Sequence, residues 1–116
     1  MSMVKNKKQE ELLKSVWLGL VHIKGDPKND ILDGCLGAYT NVTAKVDNIE
    51  EFEIATKKAV NDLGLRIEEI NWAMPILEML ATYNGNTDEK IYENALDTAM
   101  TEETNFDTFE GYLAEE

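Results

Sequence analysis

Two side chains in this sequence have the chemistry of a nucleophile or a general base: His22, the only histidine, and Cys35, the only cysteine. A histidine base needs a partner within hydrogen-bond reach, and Cys35 or Asp26 would give a thiol pair or an oriented imidazole. His22 lies in the most apolar segment of the chain, where a histidine more often packs with both nitrogens satisfied. We therefore expect structural roles for both side chains and no catalytic residue.

Metal and cofactor motifs are also missing from the sequence. One histidine and one cysteine do not make a zinc site without carboxylates from elsewhere. A calcium loop starting at Asp26 needs glycine at its sixth position and glutamate at its twelfth, where this chain has Ile31 and Gly37. The oxygen ligands of that stretch are Asp26, Asn29, Asp30 and Asp33. Since the glycines form no nucleotide-binding motif either, we predict no metal centre, no cofactor and no enzymatic activity.

The charge of the chain is unevenly distributed. Residues 1–28 have a balance of +3, whereas residues 29–116 have a balance of −15. Residues 77–116 contain eleven acidic residues and a single base, Lys90. A surface of this kind repels nucleic acid and anionic membranes and attracts basic proteins over long distances. The predicted partner is therefore a basic protein, with no nucleic acid and no membrane.

Length and composition predict one globular domain over residues 1–116, with residues 1–14 as a helical or partly disordered lead-in. The chain has 43% hydrophobic and 29% charged residues, which is typical of a folded protein. A lone cysteine excludes an internal disulfide and fits a reducing compartment. Since no apolar run is long enough to cross a membrane and the first residues lack a secretory pattern, we expect cytoplasmic residence.

Residues 15–47 predict two strands. The first, residues 15–24, is apolar on both alternating sets, which is typical of a strand in the middle of a sheet or covered on both sides. Residues 25–37 contain turn formers and predict a loop. Residues 38–47 alternate apolar and polar side chains, so we expect a strand with one buried face and one face exposed to water.

A helix is predicted over residues 48–63. Asn48 is a suitable N-cap, Glu51 completes a capping box, and Gly64 supplies a left-handed end. The next strand, residues 65–74, changes parity between Ile67 and Ile70. Either a bulge near Glu68 and Glu69 or a bend at which the strand changes partner accounts for that change. The expected buried stripe of the helix is Ile49, Phe52, Ala55, Ala59, Val60 and Leu63.

Two shorter patterns predict further helices. The first begins at Pro75, ends at residues 84–86 and buries Ile76, Met79, Leu80 and Tyr83. The second is capped by Thr87 or Asp88, runs to about residue 100 and buries Ile91, Tyr92, Ala95, Leu96, Ala99 and Met100. Residues 106–113 fit either a short strand or a helical turn, and the strand is favoured.

The order of these elements predicts an α+β fold. We expect a single mixed or antiparallel sheet of three to five strands, with two or three helices packed mainly on one face. The helix over residues 48–63 is suited to join two strands by a right-handed crossover. Trp17 and Trp72 both lie on predicted strands, where core packing is the default, and one near a sheet edge would suit a partner anchor.

The outer side of the last helix is a candidate partner-binding surface. Glu89, Glu93 and Asp97 recur every four residues and therefore lie on one side of that helix, and Glu102 and Glu103 follow just beyond. We call these five residues the acidic row. The row either steers a basic partner or only keeps the protein soluble.

Residues 37–75 carry a resemblance. This segment, GAYTNVTAKVDNIEEFEIATKKAVNDLGLRIEEINWAMP, resembles the central strand, helix and strand of small acidic bacterial immunity proteins that accompany secreted or contact-dependent toxins. The resemblance implies tight binding of one cognate toxin inside the producing cell, so that the protein covers the toxin's active or substrate-binding surface with carboxylates. In that case the acidic row would raise the association rate.

A second functional class fits the same sequence. A small-molecule-sensing or structural α+β module would act as a homodimer, with the alternating strand over residues 38–46 pairing edge to edge and a pocket at the seam. Such a module would gain stability from a metabolite, whereas an inhibitor of a toxin would not.

Overall fold

The computed structural model describes residues 7–25, 31–32, 35–82 and 89–112. Within these ranges the helices are α1 (Lys7–Leu13), α2 (Ile49–Asp62), α3 (Ile76–Thr82) and α4 (Glu89–Thr101). The strands are β1 (Val16–Lys24), β2 (Gly37–Lys45), β3 (Arg66–Pro75), β4 (Asn105–Phe106) and β5 (Glu110–Tyr112). The α+β prediction is confirmed, and the lead-in is helical from Lys7. Outside the described residues lie the oxygen-bearing residues Asp26, Asn29, Asp30 and Asp33 of the rejected calcium loop, the helix boundaries at residues 84–88, Tyr83 and Leu113.

All five described strands form one antiparallel sheet in the order β3-β1-β2-β4, with β5 also paired to β2. The two-sided apolar strand β1 is central, as its pattern predicts. Strands β2 and β3 both run antiparallel to β1, so α2 connects two strands of the same direction across it. Because β2 pairs with β1 on one side and with β4 and β5 on the other, the expected edge pairing of two copies through residues 38–46 is wrong.

One face of the sheet, which we call the back face, packs against α2. The ring of Phe52 is fully buried beside Gly19 of the central strand. Two residues of α2 depart from the predicted stripe: the polar Thr56 is buried, whereas the apolar Ile49 is 36% exposed. The buried residues of this core are Val21, Ile23, Leu32, Ala38, Val42, Ala44, Val46, Phe52, Val60 and Leu65.

The opposite face, which we call the front face, carries α1, α3 and α4. These helices enclose a second core of Leu13, Val16, Leu18, Ile76, Met79, Leu80, Tyr92, Ala95 and Ala99. Thr43, predicted to face water, is buried here, with its hydroxyl 2.9 Å from that of Thr98. Met100, predicted to be buried, is 65% exposed. The alternating pattern of β2 therefore predicts which residues share a face. It does not predict that α4 covers part of the polar face.

Strand β3 contains two irregularities in its pairing with β1. Glu68 is the extra residue between the Ile23–Ile67 and His22–Glu69 pairs, which confirms the predicted bulge. A second extra residue, Asn71, lies between the pairs that Val21 and Leu20 make with Ile70 and Trp72. The second bulge returns Trp72 to the front face, on the side opposite Ile70.

Local signals at both ends of α2 act as predicted. The amide of Glu51 donates to the side chain of Asn48 at 2.9 Å, and Gly64 has a φ of 77°. The return bond of the capping box differs in its donor, because a carboxylate oxygen of Glu51 accepts from the amide of Asp47 at 3.2 Å. These bonds fix where α2 starts over the back face.

The contact between Gly19 and Phe52 predicts a specific stability loss. A Cβ on residue 19 would lie 2.6 Å from the Phe52 ring and 2.8 Å from the Trp72 carbonyl oxygen. Gly19→Ala should therefore lower the free energy of unfolding by about 1–3 kcal/mol in urea denaturation. In a Phe52→Leu background, which removes the clashing ring, the same substitution should cost less. Purely additive costs in this double-mutant cycle would contradict the packing described.

Candidate functional site

One end of the front face lies beyond the cover of the helices. The front core ends at Leu18, and the next front-facing residue of β1, Leu20, belongs to neither core cluster. Tyr39 and Trp72 are 38% and 37% exposed there. We call this surface the open front, and its residues are Leu20, His22, Lys24, Tyr39, Asn41, Arg66, Glu69, Trp72, Glu110 and Tyr112. It brings together apolar, aromatic and charged side chains from four strands.

Three rings form a cluster at the centre of the open front. His22 stacks on Tyr39, with ring centroids 4.4 Å apart and an interplanar angle of 14°. The His22 Nε2 atom lies 2.6 Å from the Tyr112 hydroxyl oxygen, a short hydrogen bond. Tyr112 is tilted against both of the other rings, at centroid distances of 5.7 and 6.1 Å. The three side chains therefore restrain one another and present a preformed aromatic surface.

The position of Tyr112 depends on a glycine in the neighbouring strand. Gly37 pairs with Tyr112, and a Cβ on Gly37 would lie 2.5 Å from the Tyr112 hydroxyl and 2.8 Å from the Ile23 carbonyl oxygen. The ring of Tyr112 thus lies across β2 where a side chain is absent. The residue before Gly37 also contacts Tyr112, because the Leu36 amide donates to the Tyr112 carbonyl oxygen at 2.8 Å. Glycine at residue 37 is what lets the tyrosine reach His22.

A cavity of about 300 Å³ lies between the open front and the start of α4. Lys90 crosses it, donating from Nζ to the Thr108 hydroxyl at 3.1 Å and lying 3.2 Å from Asp107 Oδ1. That oxygen is buried, and the lysine approaches it without the geometry of a hydrogen bond. The cavity is lined by Leu20, Tyr39, Thr40, Asn41, Lys90, Asp107, Thr108 and Glu110.

Two carboxylates of the acidic row already have partners within the protein. Asp97 accepts from the Asn105 side chain at 3.2 Å, and Glu102 lies 3.9 Å from Lys45 with a φ of 63°. Glu93 and Glu103 are exposed, and their side-chain carboxylates pair with no described residue. Glu89 begins α4, and its side chain lies outside the described part of the structure. The row starts next to the cavity, because α4 places Lys90 there. Its role in binding stays a prediction.

The catalytic pair considered for His22 and Cys35 does not form. His22 faces the front with Tyr39, whereas Cys35 packs against the back-face core and its sulfur approaches Gly111. Asp26, the other partner considered, lies outside the described residues. His22 instead uses its Nε2 for Tyr112. These partners of His22 were not anticipated from the sequence.

The described residues hold neither a metal-binding cluster nor a membrane-spanning helix. They contain no group of three or more His, Cys, Asp and Glu side chains placed to hold a metal ion. Among the described helices, none has both the length and the apolarity needed to span a membrane.

Comparison with known proteins returned no match among family models, curated proteins or solved structures.

The sequence predicts single residues of the open front but not that they lie together. It places Tyr39 on the polar side of its strand, and it predicts core packing for both tryptophans, with a partner anchor only for one that lies near a sheet edge. Trp17 packs against the back core, and Trp72 is the exposed one, on the edge strand β3. Tyr112 was missed because its strand is three residues long and its partner is ninety residues away. The signal that could have found it is the recurrence of aromatic residues every three positions at Phe106, Phe109 and Tyr112.

The hydrogen bond between His22 and Tyr112 gives a testable contribution to stability. Tyr112→Phe should lower the free energy of unfolding by about 0.5–1.5 kcal/mol, because it removes the hydroxyl and keeps the ring. Tyr39→Phe is the matched control, since the Tyr39 hydroxyl bonds to no described residue, and its effect should stay within about 0.5 kcal/mol. Urea denaturation measures both. Equal losses for the two variants would contradict the bond.

Proposed function

We propose that this protein binds and neutralises a basic protein partner, and that it is an immunity protein whose partner is a bacterial toxin. In this proposal it acts inside the producing cell, has no catalytic role and covers the toxin's active or substrate-binding surface. The observation that carries the proposal is the open front, where exposed aromatic side chains lie beside carboxylates on a chain of net charge −12.

The aromatic residues of the open front are suited to anchor a partner. Trp72 and Tyr39 are each more than a third exposed, and both lie on strands rather than on loops. Tryptophan and tyrosine are enriched among the residues that dominate binding energy, because each buries a large area and loses few rotamers. Strand pairing fixes the backbone of both residues, and the stack with His22 also holds the Tyr39 ring, so less entropy is lost on binding. These two rings are therefore the proposed centre of the interface.

Charge gives the proposed interface a direction. Lys24 and Arg66 pair opposite each other at one corner of the open front, on the side of β3. Asp107, Glu110 and the acidic row lie on the other side, around β5 and α4. A basic partner is repelled from the first corner and attracted to the second. We therefore propose that its basic surface meets the β5 and α4 side, while its apolar groups meet Trp72.

Cross-linking followed by a growth assay tests this function. A photo-crosslinking amino acid replaces Trp72 in one variant and Ile54 in the other, since Ile54 is 69% exposed on α2 at the back face. Both variants are expressed in the source organism and irradiated. The proposal expects a basic protein cross-linked through residue 72 and not through residue 54.

The growth assay decides what the cross-linked protein means. Expressed alone in a bacterial host, it should arrest growth, and co-expression of the wild-type protein should restore growth. Trp72→Ala should restore growth less well, whereas Ile54→Ala should act like the wild type. A captured protein that does not harm the host, or harm that this protein does not relieve, would overturn the toxin-inhibitor proposal.

Association kinetics separate steering from anchoring. Glu93→Gln with Glu103→Gln removes two unpaired charges from the acidic row, and Glu50→Gln with Glu53→Gln removes two from α2. The first pair should slow association several-fold at low salt, and the second should slow it less. Wild-type association should weaken as salt is raised. Stopped-flow measurements in which both pairs act alike, or in which salt has no effect, would contradict steering by the row.

Anchoring should appear in the dissociation rate. Trp72→Ala should raise the dissociation rate about thirtyfold, which corresponds to roughly 2 kcal/mol for a residue at the centre of an interface. Its association rate should change little, because the net charge is unaltered. Surface plasmon resonance at one fixed salt concentration measures both. An unchanged dissociation rate would place Trp72 outside the interface.

The cavity favours one alternative, binding of a small molecule. Its volume of about 300 Å³ is at the lower end of the range for ligand sites. A metabolite sensor would gain thermal stability from its ligand without any protein partner. Since β2 pairs with β1 on one side and with β4 and β5 on the other, this alternative no longer includes a dimer formed through residues 38–46.

A further inference from the structure

We propose that the cavity beside Tyr39 receives one arginine side chain of the protein partner. This inference rests on the proposed function and adds to it the chemistry of the contact. The cavity lies on the side of the open front that carries the carboxylates of Asp107 and Glu110, which is the side that a basic protein would approach. Its volume of about 300 Å³ suits a single long side chain.

The charges of the cavity favour a cationic occupant. Its lining includes two carboxylates, Asp107 and Glu110, and one ammonium group, that of Lys90. The Asp107 side chain is only 16% exposed, and its buried Oδ1 has no hydrogen-bond donor although Lys90 Nζ is 3.2 Å away. A buried carboxylate oxygen without a donor is costly. A correctly directed N–H group from a partner would satisfy it.

Lys90 is in a position to yield its place. Its side chain is 57% exposed, and its Nζ donates to the Thr108 hydroxyl while making no hydrogen bond to Asp107 Oδ1. Because the lysine end of the pair is exposed to water and Nζ lacks hydrogen-bond geometry to Asp107 Oδ1, this ion pair is weaker than a buried, hydrogen-bonded one. A guanidinium group that enters the cavity and donates to that oxygen can therefore take over from the lysine, because Asp107 keeps a cationic partner. The displaced ammonium group moves into water.

The ring of Tyr39 supplies the second element of recognition. His22 stacks on one face of this ring, and the ring also lines the cavity. Guanidinium groups stack on aromatic rings and are attracted by the ring's electron density. The stack with His22 and the neighbouring Tyr112 holds Tyr39 in place. The cavity thus combines an aromatic wall with carboxylates.

Arginine fits this arrangement better than lysine. The possible acceptors belong to Asp107, Glu110 and the Asn41 side chain, which come from different segments. A guanidinium group has five donors spread over a plane, whereas an ammonium group concentrates three donors at one point. Arginine is also more weakly hydrated and so loses less on leaving water.

Titration of the isolated protein with short peptides tests the inference without the partner. The probes are Gly-Arg-Gly, Gly-Lys-Gly and Gly-citrulline-Gly, each acetylated at the N-terminus and amidated at the C-terminus, together with free L-arginine. The readout is the set of ¹⁵N amide shifts in NMR spectra, which also shows that each variant is folded. The arginine peptide should shift the amides of Tyr39, Asn41 and Thr108, with a Kd in about the millimolar range.

Neutral and substituted controls define the expected pattern. The citrulline peptide should cause no local shifts, and the lysine peptide should bind less tightly than the arginine peptide. Asp107→Asn should weaken binding about tenfold, and Tyr39→Leu should weaken it about two- to fivefold. Glu110→Gln, at an exposed position, should also weaken it and covers the case in which Asp107→Asn fails to fold. Glu93→Gln, on the outside of α4, is the control that should bind as the wild type.

One variant should bind more tightly. Lys90→Gln removes the internal ammonium group that competes for Asp107, so the affinity for the arginine peptide should rise about two- to fivefold. A gain of affinity is informative because a general loss of structure does not tighten binding. A loss of affinity in this variant would contradict displacement of the lysine.

The outcomes separate this inference from the proposed function. Absence of local shifts with the arginine peptide, or equal binding of the citrulline peptide, overturns the arginine site even if Trp72 captures a toxin. Much tighter binding of free arginine than of the blocked peptide identifies a metabolite site and overturns the partner contact. Binding of the arginine peptide as predicted supports the cavity's chemistry, and the growth assay alone then decides the toxin-inhibitor function.

Discussion

The fold depends on one constraint: strand β1 carries apolar side chains on both faces, and both faces must be removed from water. Strand β1 is apolar on both sides, so it has to lie between two other strands and beneath helices on each face. On the back face α2 meets this need. On the front face the cover is shorter: α4 has 13 residues, or about 20 Å of helix, whereas the nine residues of β1 extend about 30 Å. An uncovered end of the sheet follows from this difference, and the open front is that end.

Residues at the uncovered end of the sheet either pack against one another or stay exposed to water. Both arrangements occur in the open front. His22, Tyr39 and Tyr112 shield part of one another through stacking and a hydrogen bond. Among the described residues, no side chain stacks on or hydrogen-bonds to the Trp72 ring, and its exposure on the front depends on the second bulge at Asn71. Without that extra residue, the side chains of β3 beyond it would point to the opposite faces. Bulges near sheet edges commonly redirect a side chain in this way, and they also hinder pairing of the edge with other strands.

Elements with local signals could be predicted from the sequence, and arrangements made by distant residues could not. The cap at Asn48, the left-handed Gly64, the central position of β1 and the first bulge all follow from residues a few positions apart. The second bulge gives no comparable signal, because Ile70, Trp72 and Met74 alternate without interruption in a simple count. The aromatic cluster and the cavity depend on β4 and β5, which have only two and three residues and take their places by pairing with β2. Periodicity requires longer elements than these.

The two kinds of group on the candidate surface differ in how much geometry they need. The charges of Glu93 and Glu103 act through the long-range field, so exposed and mobile side chains serve as well as fixed ones. The aromatic groups act only in close contact, where each freely rotating side chain would cost about 0.5–1.5 kcal/mol to immobilise. It is therefore consistent that the rings of His22, Tyr39 and Tyr112 restrain one another on strands, whereas these two carboxylates have no described partner. A surface used only to keep the protein soluble would need the charges alone, and it gives no physical reason to hold an exposed tyrosine in place.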